Sequence, residues 1–171
     1  MTADARDPLL EPLSRGDPEA FAAFYDRHGS GLFAVARALL SSRADAEDAV
    51  QETFLSLFRS RAAFARAQSP RAYAFAALRR AAHRLRSRRT ALPLPAEPSV
   101  EDADLPPEPD PALARALGRL AVEQREVLAL KLHGGLTFSE IAASLGIPSN
   151  TAASRYRYAL EHLQRELGGP A

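Results

Sequence analysis

Ten arginines fall between Arg59 and Arg89, inside a stretch, residues 53–96, that contains no acidic side chain. A guanidinium keeps its charge in every setting and forks onto phosphate with two hydrogen bonds. An acid-free run of arginines therefore has the chemistry to lie along a polyanion. Phe64, Tyr73 and Phe75 interleave with these arginines, and a basic groove with aromatic faces is the arrangement that holds single-stranded bases. The run also lacks the local acids that salt-bridged surface helices carry. A second candidate lies at residues 137–166. Thr137-Phe-Ser-Glu140 is a capping box, Ala142 is small enough for a second helix to cross close by, and Gly146 permits a left-handed turn. Ile147 would plug the corner before Pro148. Ile141, Ala142 and Leu145 on one helix, with Ala152, Tyr156, Ala159, Leu160 and Leu163 on the next, form the inner face. Ser149, Thr151, Ala153, Ser154, Arg155, Arg157 and Tyr158 are left outward, and a helix showing small polar and arginine side chains at its start is what a major groove admits.

Catalytic chemistry has little to work with. His28, His83, His133 and His162 are scattered, and none is spaced with a carboxylate or a second histidine as a ligand pair. His28 and His133 each precede glycine near an expected helix end, where they favour the negative end of the dipole. No glycine-rich phosphate loop, Gly-x-Ser-x-Gly or His-Glu-x-x-His occurs, and the absence of cysteine excludes disulfides, zinc–cysteine sites and thiol redox sensing. The expectation is a non-enzyme with no catalytic residue, metal, cofactor or small-molecule substrate. Met1 to Arg15 holds no apolar signal core, and no run approaches the roughly 20 apolar residues of a membrane span. A cytoplasmic protein without membrane insertion is expected. The formal net charge is only +1, so the basic stretch is a local feature.

The elements that must position these residues read as all-α: two small helical domains joined by a flexible linker, the C-terminal one a helix-turn-helix. Alanine, leucine, arginine and glutamate dominate, and no stretch alternates as a strand would. Residues 1–16 read as a disordered tail. Residues 17–90 read as a helical domain that starts at the Asp17 cap and Pro18, with a kink or a break at Gly29 and Gly31. A second helix runs from about Ala44 to Arg59, with Ala46, Ala49, Val50, Phe54, Leu57 and Phe58 inward. A short connection, Arg61 to Ser69, holds Phe64, and a third helix runs from Ser69 and Pro70 to about Arg89. Residues 91–111 hold seven prolines and six acids with no basic residue, the composition of a linker. In polyproline II form it could span up to about 60 Å. Residues 112–167 read as the second domain: a helix opened by Pro111, another from Glu123 to Leu132, then the helix-turn-helix, whose last helix is capped by Ser149 or Asn150. Residues 168–171 are a tail.

The order of these segments resembles a family. Asp45-Ala-Glu-Asp-Ala-Val-Gln-Glu-Thr-Phe54 is followed by the arginine-rich helix, the tether and Glu123-Gln-Arg-Glu-Val-Leu128. Then come Gly135-Leu-Thr-Phe-Ser-Glu-Ile-Ala142, Leu145-Gly-Ile-Pro148 and Asn150-Thr-Ala-Ala-Ser-Arg155. This is similar to the extracytoplasmic-function sigma factors of bacterial RNA polymerase, over about residues 17–89 and 111–166. The resemblance implies a protein that binds core RNA polymerase, directs it to promoters and helps open them. It implies that Asp45, Asp48, Gln51 and Glu52 meet the polymerase. It assigns Phe64, Tyr73, Arg79, Arg80 and Arg84 to the melted proximal (−10) promoter element, and Thr151, Ser154, Arg155, Arg157 and Tyr158 to the distal (−35) element. It implies promoter DNA, as duplex and as melted strand, and an anti-sigma factor as further partners, with the acidic tether threading toward the RNA exit path. The family usually has tryptophan where Tyr73 stands, often asparagine where Arg80 stands, and valine then a cation where Ala152 and Ala153 stand. Two other readings compete. A helix-turn-helix regulator binding duplex operators without polymerase would be a dimer on a palindrome. A sigma-like interaction module would keep the apolar faces and tolerate loss of Arg155 and Arg157.

Overall fold

Asp17, Pro18 and Glu19 open a 22-residue helix as the chain chemistry demands. The Asp17 side chain accepts a hydrogen bond from the Glu19 N–H, Pro18 occupies the first turn, and Glu19 faces the positive dipole end. The structure, a computed structural model, describes residues 7–91 and 110–168, all of whose regular structure is helical. The chain divides into two compact units, Met1–Leu92 and Pro93–Ala171. The greater part of the proline-rich segment, residues 92–109, lies outside the described residues, as do residues 1–6 and 169–171.

Unit 1 holds α1 (Leu10–Arg15), α2 (Pro18–Leu39), α3 (Arg43–Arg59), α4 (Arg61–Arg66) and α5 (Pro70–Ala91). Three expectations are corrected here. First, the N-terminal segment is not all tail: α1 packs on α4 and buries Leu13 completely. One buried leucine in a six-residue helix leaves too little periodicity to read from sequence. Second, α2 runs unbroken through Gly29 and Gly31. Gly29 lets the Tyr25 ring lie close: a Cβ there would meet that ring at 3.2 Å. His28 consequently sits inside a helix, 4.5 Å from the Phe24 ring, rather than at a helix end. Third, the segment around Phe64 is itself helical.

The most extensive helix pairing is α3 with α5. Ala46, Ala49, Ala74, Ala77, Ala81 and Ala82 are all buried, and such small side chains let helix backbones approach closely. Leu32, Val35, Leu57, Phe75 and Leu78 fill the remaining core. Thr53 is buried without penalty because its Oγ1 donates to the Ala49 carbonyl. An aromatic cluster closes the other end. Phe24 meets Phe64 edge-on at 5.1 Å, and Phe21 meets Phe58 at 5.6 Å.

Unit 2 holds α6 (Pro111–Gly118), α7 (Val122–Leu132), α8 (Phe138–Leu145) and α9 (Ser149–Leu167). Asp110 caps α6 through the Ala112 N–H. Arg125 donates to the Gly118 and Leu120 carbonyls, fastening the loop between α6 and α7. Leu120, Leu128 and Ala159 form a core against which Leu117, Tyr156, Leu160 and Leu163 pack. The last helix starts at Ser149 with Pro148 at its N-cap, so neither Ser149 nor Asn150 is the cap. The Asn150 side chain instead accepts from the Thr151 N–H.

Candidate nucleic-acid interface

In unit 2 the turn between α8 and α9 is built from local rules. Thr137 Oγ1 accepts from the Glu140 N–H while the Glu140 carboxylate accepts from the Thr137 N–H, a complete capping box. Gly146 ends α8 at φ 66°, left-handed backbone, and the Ile147 N–H donates to the Ala142 carbonyl. Ala142 and Ala152 are both buried, so α9 crosses α8 closely. Phe138 and Tyr156 meet edge-on at 5.6 Å, and the Lys131 ammonium lies 4.7 Å from the Phe138 centroid.

This geometry carries the outer face of α9. Thr151, Ser154 and Arg155 are half-buried, while Arg157 and Tyr158 are exposed, Tyr158 by 50%. Ser154 Oγ donates to the Asn150 carbonyl. Arg157 lies 5.1 Å from the Tyr158 ring centroid and 3.7 Å from Glu161 on the next turn. The face is thus a stacked cation beside an open aromatic ring midway along a helix that a tight turn introduces.

Unit 1 departs further from the sequence reading. Phe64 is 0% exposed, with Phe21, Phe24 and Tyr73 around it, so it is a core residue and not a platform for a base. Phe75 is likewise buried. An aromatic between arginines is amphipathic patterning at helical spacing, and the core took it. Tyr73 is half-buried, its ring 5.8 Å from Phe64 and its hydroxyl 3.4 Å from Ser60 Oγ. Arg79 is half-buried and Arg80 exposed. The arginines are not without acids either, because the acids stand on another helix. Arg84 pairs with Glu52 at 2.6 Å, and Arg89 with Asp45 at 2.6 Å. Arg84 therefore faces a carboxylate in place of an open groove.

The four acidic-helix positions separate for the same reason. Asp48 and Gln51 are exposed on α3, whereas Asp45 is buried and Glu52 half-buried against α5. Two residues join the outward face that sequence reasoning missed. Leu55 is 56% exposed, and Phe58, expected inward, is 47% exposed with Arg61 over its ring. Leu55 lies two turns from Asp48 and one turn from Gln51, which was the available signal.

His28 has a displaced proton affinity. Burial lowers its pKa from 6.5, and Arg27 and Arg71 lower it further against the opposing charge of Asp7. No group of three or more His, Asp or Glu among the described residues is placed to hold a metal, and no helix among them is long and apolar enough to cross a membrane.

Comparison with known proteins accounts for both units. The Sigma-70 region 2 family matches residues 24–91, and the Sigma-70 region 4 family matches residues 111–163. The chain is 29% identical over 174 residues to the ECF RNA polymerase sigma factor SigK of Mycobacterium ulcerans, covering 95% of this chain and 93% of that protein. It is also 29% identical to SigK of Mycobacterium tuberculosis, covering 92% and 91%. Among solved structures it is similar to CnrH, solved in complex with the cytosolic domain of CnrY, at TM-score 0.74 and 26% identity over 98% of this chain and all of that one. The fold is also that of the sigma factor RpoE of Bartonella quintana, solved with the anti-sigma factor NepR, at TM-score 0.74 and 24% identity over 90% and 99%. With region 2 in the first unit, region 4 in the second and relatives matched along nearly their whole length, the chain belongs to the extracytoplasmic-function sigma factors, the transcription initiation factors that bring bacterial RNA polymerase to promoters.

Proposed function

We infer that the two units divide promoter recognition between them, and that the single observation carrying this is the open face of α9 behind the capped and glycine-closed turn. Arg157 and Tyr158 read base edges of the distal element in the major groove, Ser154 assists, and Thr151 and Arg155 hold phosphate. In unit 1, Tyr73, Arg79 and Arg80 on α5 face the opened proximal element. Unstacking a base costs a few kcal/mol, and an aromatic face returns about 1–3 kcal/mol per base, so one half-buried tyrosine offsets only part of it. The polymerase supplies the rest.

Asp48, Gln51, Leu55 and Phe58 form the outward stripe of α3 that docks on core polymerase. An apolar centre with a polar rim is the composition of a protein interface. Two structural neighbours were solved with partner proteins, which supports an anti-sigma factor for this chain too. The reading places the protein in the cytoplasm, where the polymerase is. The rival readings, a polymerase-independent regulator and a pure interaction module, have no feature of their own to support them.

The test is run-off transcription from a promoter library with purified core polymerase and the full chain. Specific transcripts that vanish with Arg155→Ala plus Arg157→Ala are expected. A chain that core polymerase fails to retain in a pull-down would overturn the reading.

A further inference from the structure

The end of α5 lies beyond the core. Ala82 is its last buried residue, yet the helix continues to Ala91. Packing, the usual source of helix stability in proteins, is therefore reduced there to the half-buried Leu85 and Arg86. The charges oppose order as well, since Arg84 and Arg88 are like charges at i,i+4. What meets this extension is α3. Arg89 donates through Nη2 to Asp45 Oδ1 at 2.7 Å and places Nε 2.6 Å from Oδ2, a complete fork. Arg84 donates through Nε and Nη2 to Glu52 Oε1 at 3.0 and 2.6 Å. Going back along α3 from Glu52 to Asp45 goes forward along α5 from Arg84 to Arg89. The two pairs are rungs between antiparallel helices. They differ in exposure: the Asp45 side chain is 9% exposed, whereas Glu52 and Arg84 remain in reach of water and salt.

We propose that Asp45 and Glu52 are positioning residues for the DNA-facing helix: they hold the arginine-rich end of α5 along α3, and in doing so remove Arg84 and Arg89 from the charges that neutralise promoter phosphate. The proposal rests on the reading of unit 1 as the part that meets the proximal element. A carboxylate and a phosphate compete for the same guanidinium fork. An arginine whose fork is filled by an acid displaces no counterion from DNA and adds nothing to the salt dependence of binding. The arginines left to do so include the exposed Arg80 and Arg88.

Charge exchange tests this, using holoenzyme assembled from core polymerase and the full chain, with run-off transcription and promoter binding measured over a salt series. Arg84→Glu alone sets two carboxylates face to face and lowers transcription. Arg84→Glu combined with Glu52→Arg rebuilds the rung in reverse and recovers most of the loss. A phosphate ligand could not be replaced by glutamate, so an exchanged chain no better than Arg84→Glu overturns the proposal. A neutral pair, Arg84→Gln with Glu52→Gln, guards against an exchange that fails to fold. It is expected to keep the wild-type salt slope even where overall output falls. A slope reduced by about one unit would place Arg84 on phosphate and overturn the proposal. Wild-type holoenzyme in the same series separates the two readings. If it binds no promoter, the promoter-binding reading of unit 1 fails along with the proposal, whereas a binding wild type with a dead exchange defeats the proposal alone.

Discussion

α5 and α9 are both long helices bearing arginine, and they dispose of that charge in opposite ways. α5 carries seven arginines and no acid of its own, while α9 carries three arginines and two glutamates. Counting charge along the chain therefore makes α5 the stronger DNA candidate. In space, two α5 arginines are answered by acids on α3, and its aromatics Phe75 and, from the preceding helix, Phe64 are core. α9 buries only Ala152 and Ala159 completely, and its one ion pair to a neighbouring turn, Arg157 with Glu161, is long and exposed. An exposed i,i+4 pair at 3.7 Å holds Arg157 loosely, whereas two short hydrogen bonds to Glu52 hold Arg84, so Arg157 is the more available to a ligand. The charge a helix offers to DNA depends on where the nearest acids sit, not on its arginine count.

The comparison can be broken or sharpened by substitution. The largest effect belongs to Phe64→Ala, which deletes a fully buried ring and is expected to cost about 3–5 kcal/mol of stability, read as a lowered melting temperature by circular dichroism. Should melting stay put while promoter opening is lost, Phe64 would be a base platform after all and the contrast between α5 and α9 would dissolve. Ala142→Leu is next. It overfills the crossing of α8 and α9 and should destabilise by about 1–3 kcal/mol. An unchanged unfolding midpoint would mean the crossing is looser than the buried Ala142 and Ala152 indicate. Arg157→Ala should leave melting alone and weaken promoter binding by about 1–3 kcal/mol, with discrimination relaxed at one base position. Retained discrimination would move base reading away from Arg157.

The smallest effect is a pH dependence confined to unit 1. The folded-state pKa of His28 lies below its unfolded value of 6.5, so the unfolded chain binds more protons. The stability His28 allows is complete above pH 6.5 and declines as pH falls below that value until its folded pKa is passed. His28→Gln should flatten that decline in melts taken between neutral and mildly acid pH. A decline identical in the variant would assign it to other groups.

Much of this protein is legible in its sequence. Local signals act within a turn or two, and they survived folding: the Asp17 cap with Pro18, the Thr137–Glu140 box, Gly146 at positive φ, and the inward Ile141 and Ala152. Motif order along the chain also pointed to the family that the comparisons show. What could not be read is everything that depends on which helix lies opposite. Phe64 and Phe58 are both aromatics among arginines, yet one is enclosed by Phe21, Phe24 and Tyr73 while the other is half open. α1 packs on α4 and buries Leu13, a contact no local pattern announces. Asp45 and Glu52 carry the same chemistry as Asp48, but only the pair turned toward α5 meets arginine. Capping and turn formation are short-range and written residue by residue. Burial and charge pairing are settled by the neighbour across the interface, which the linear order does not name.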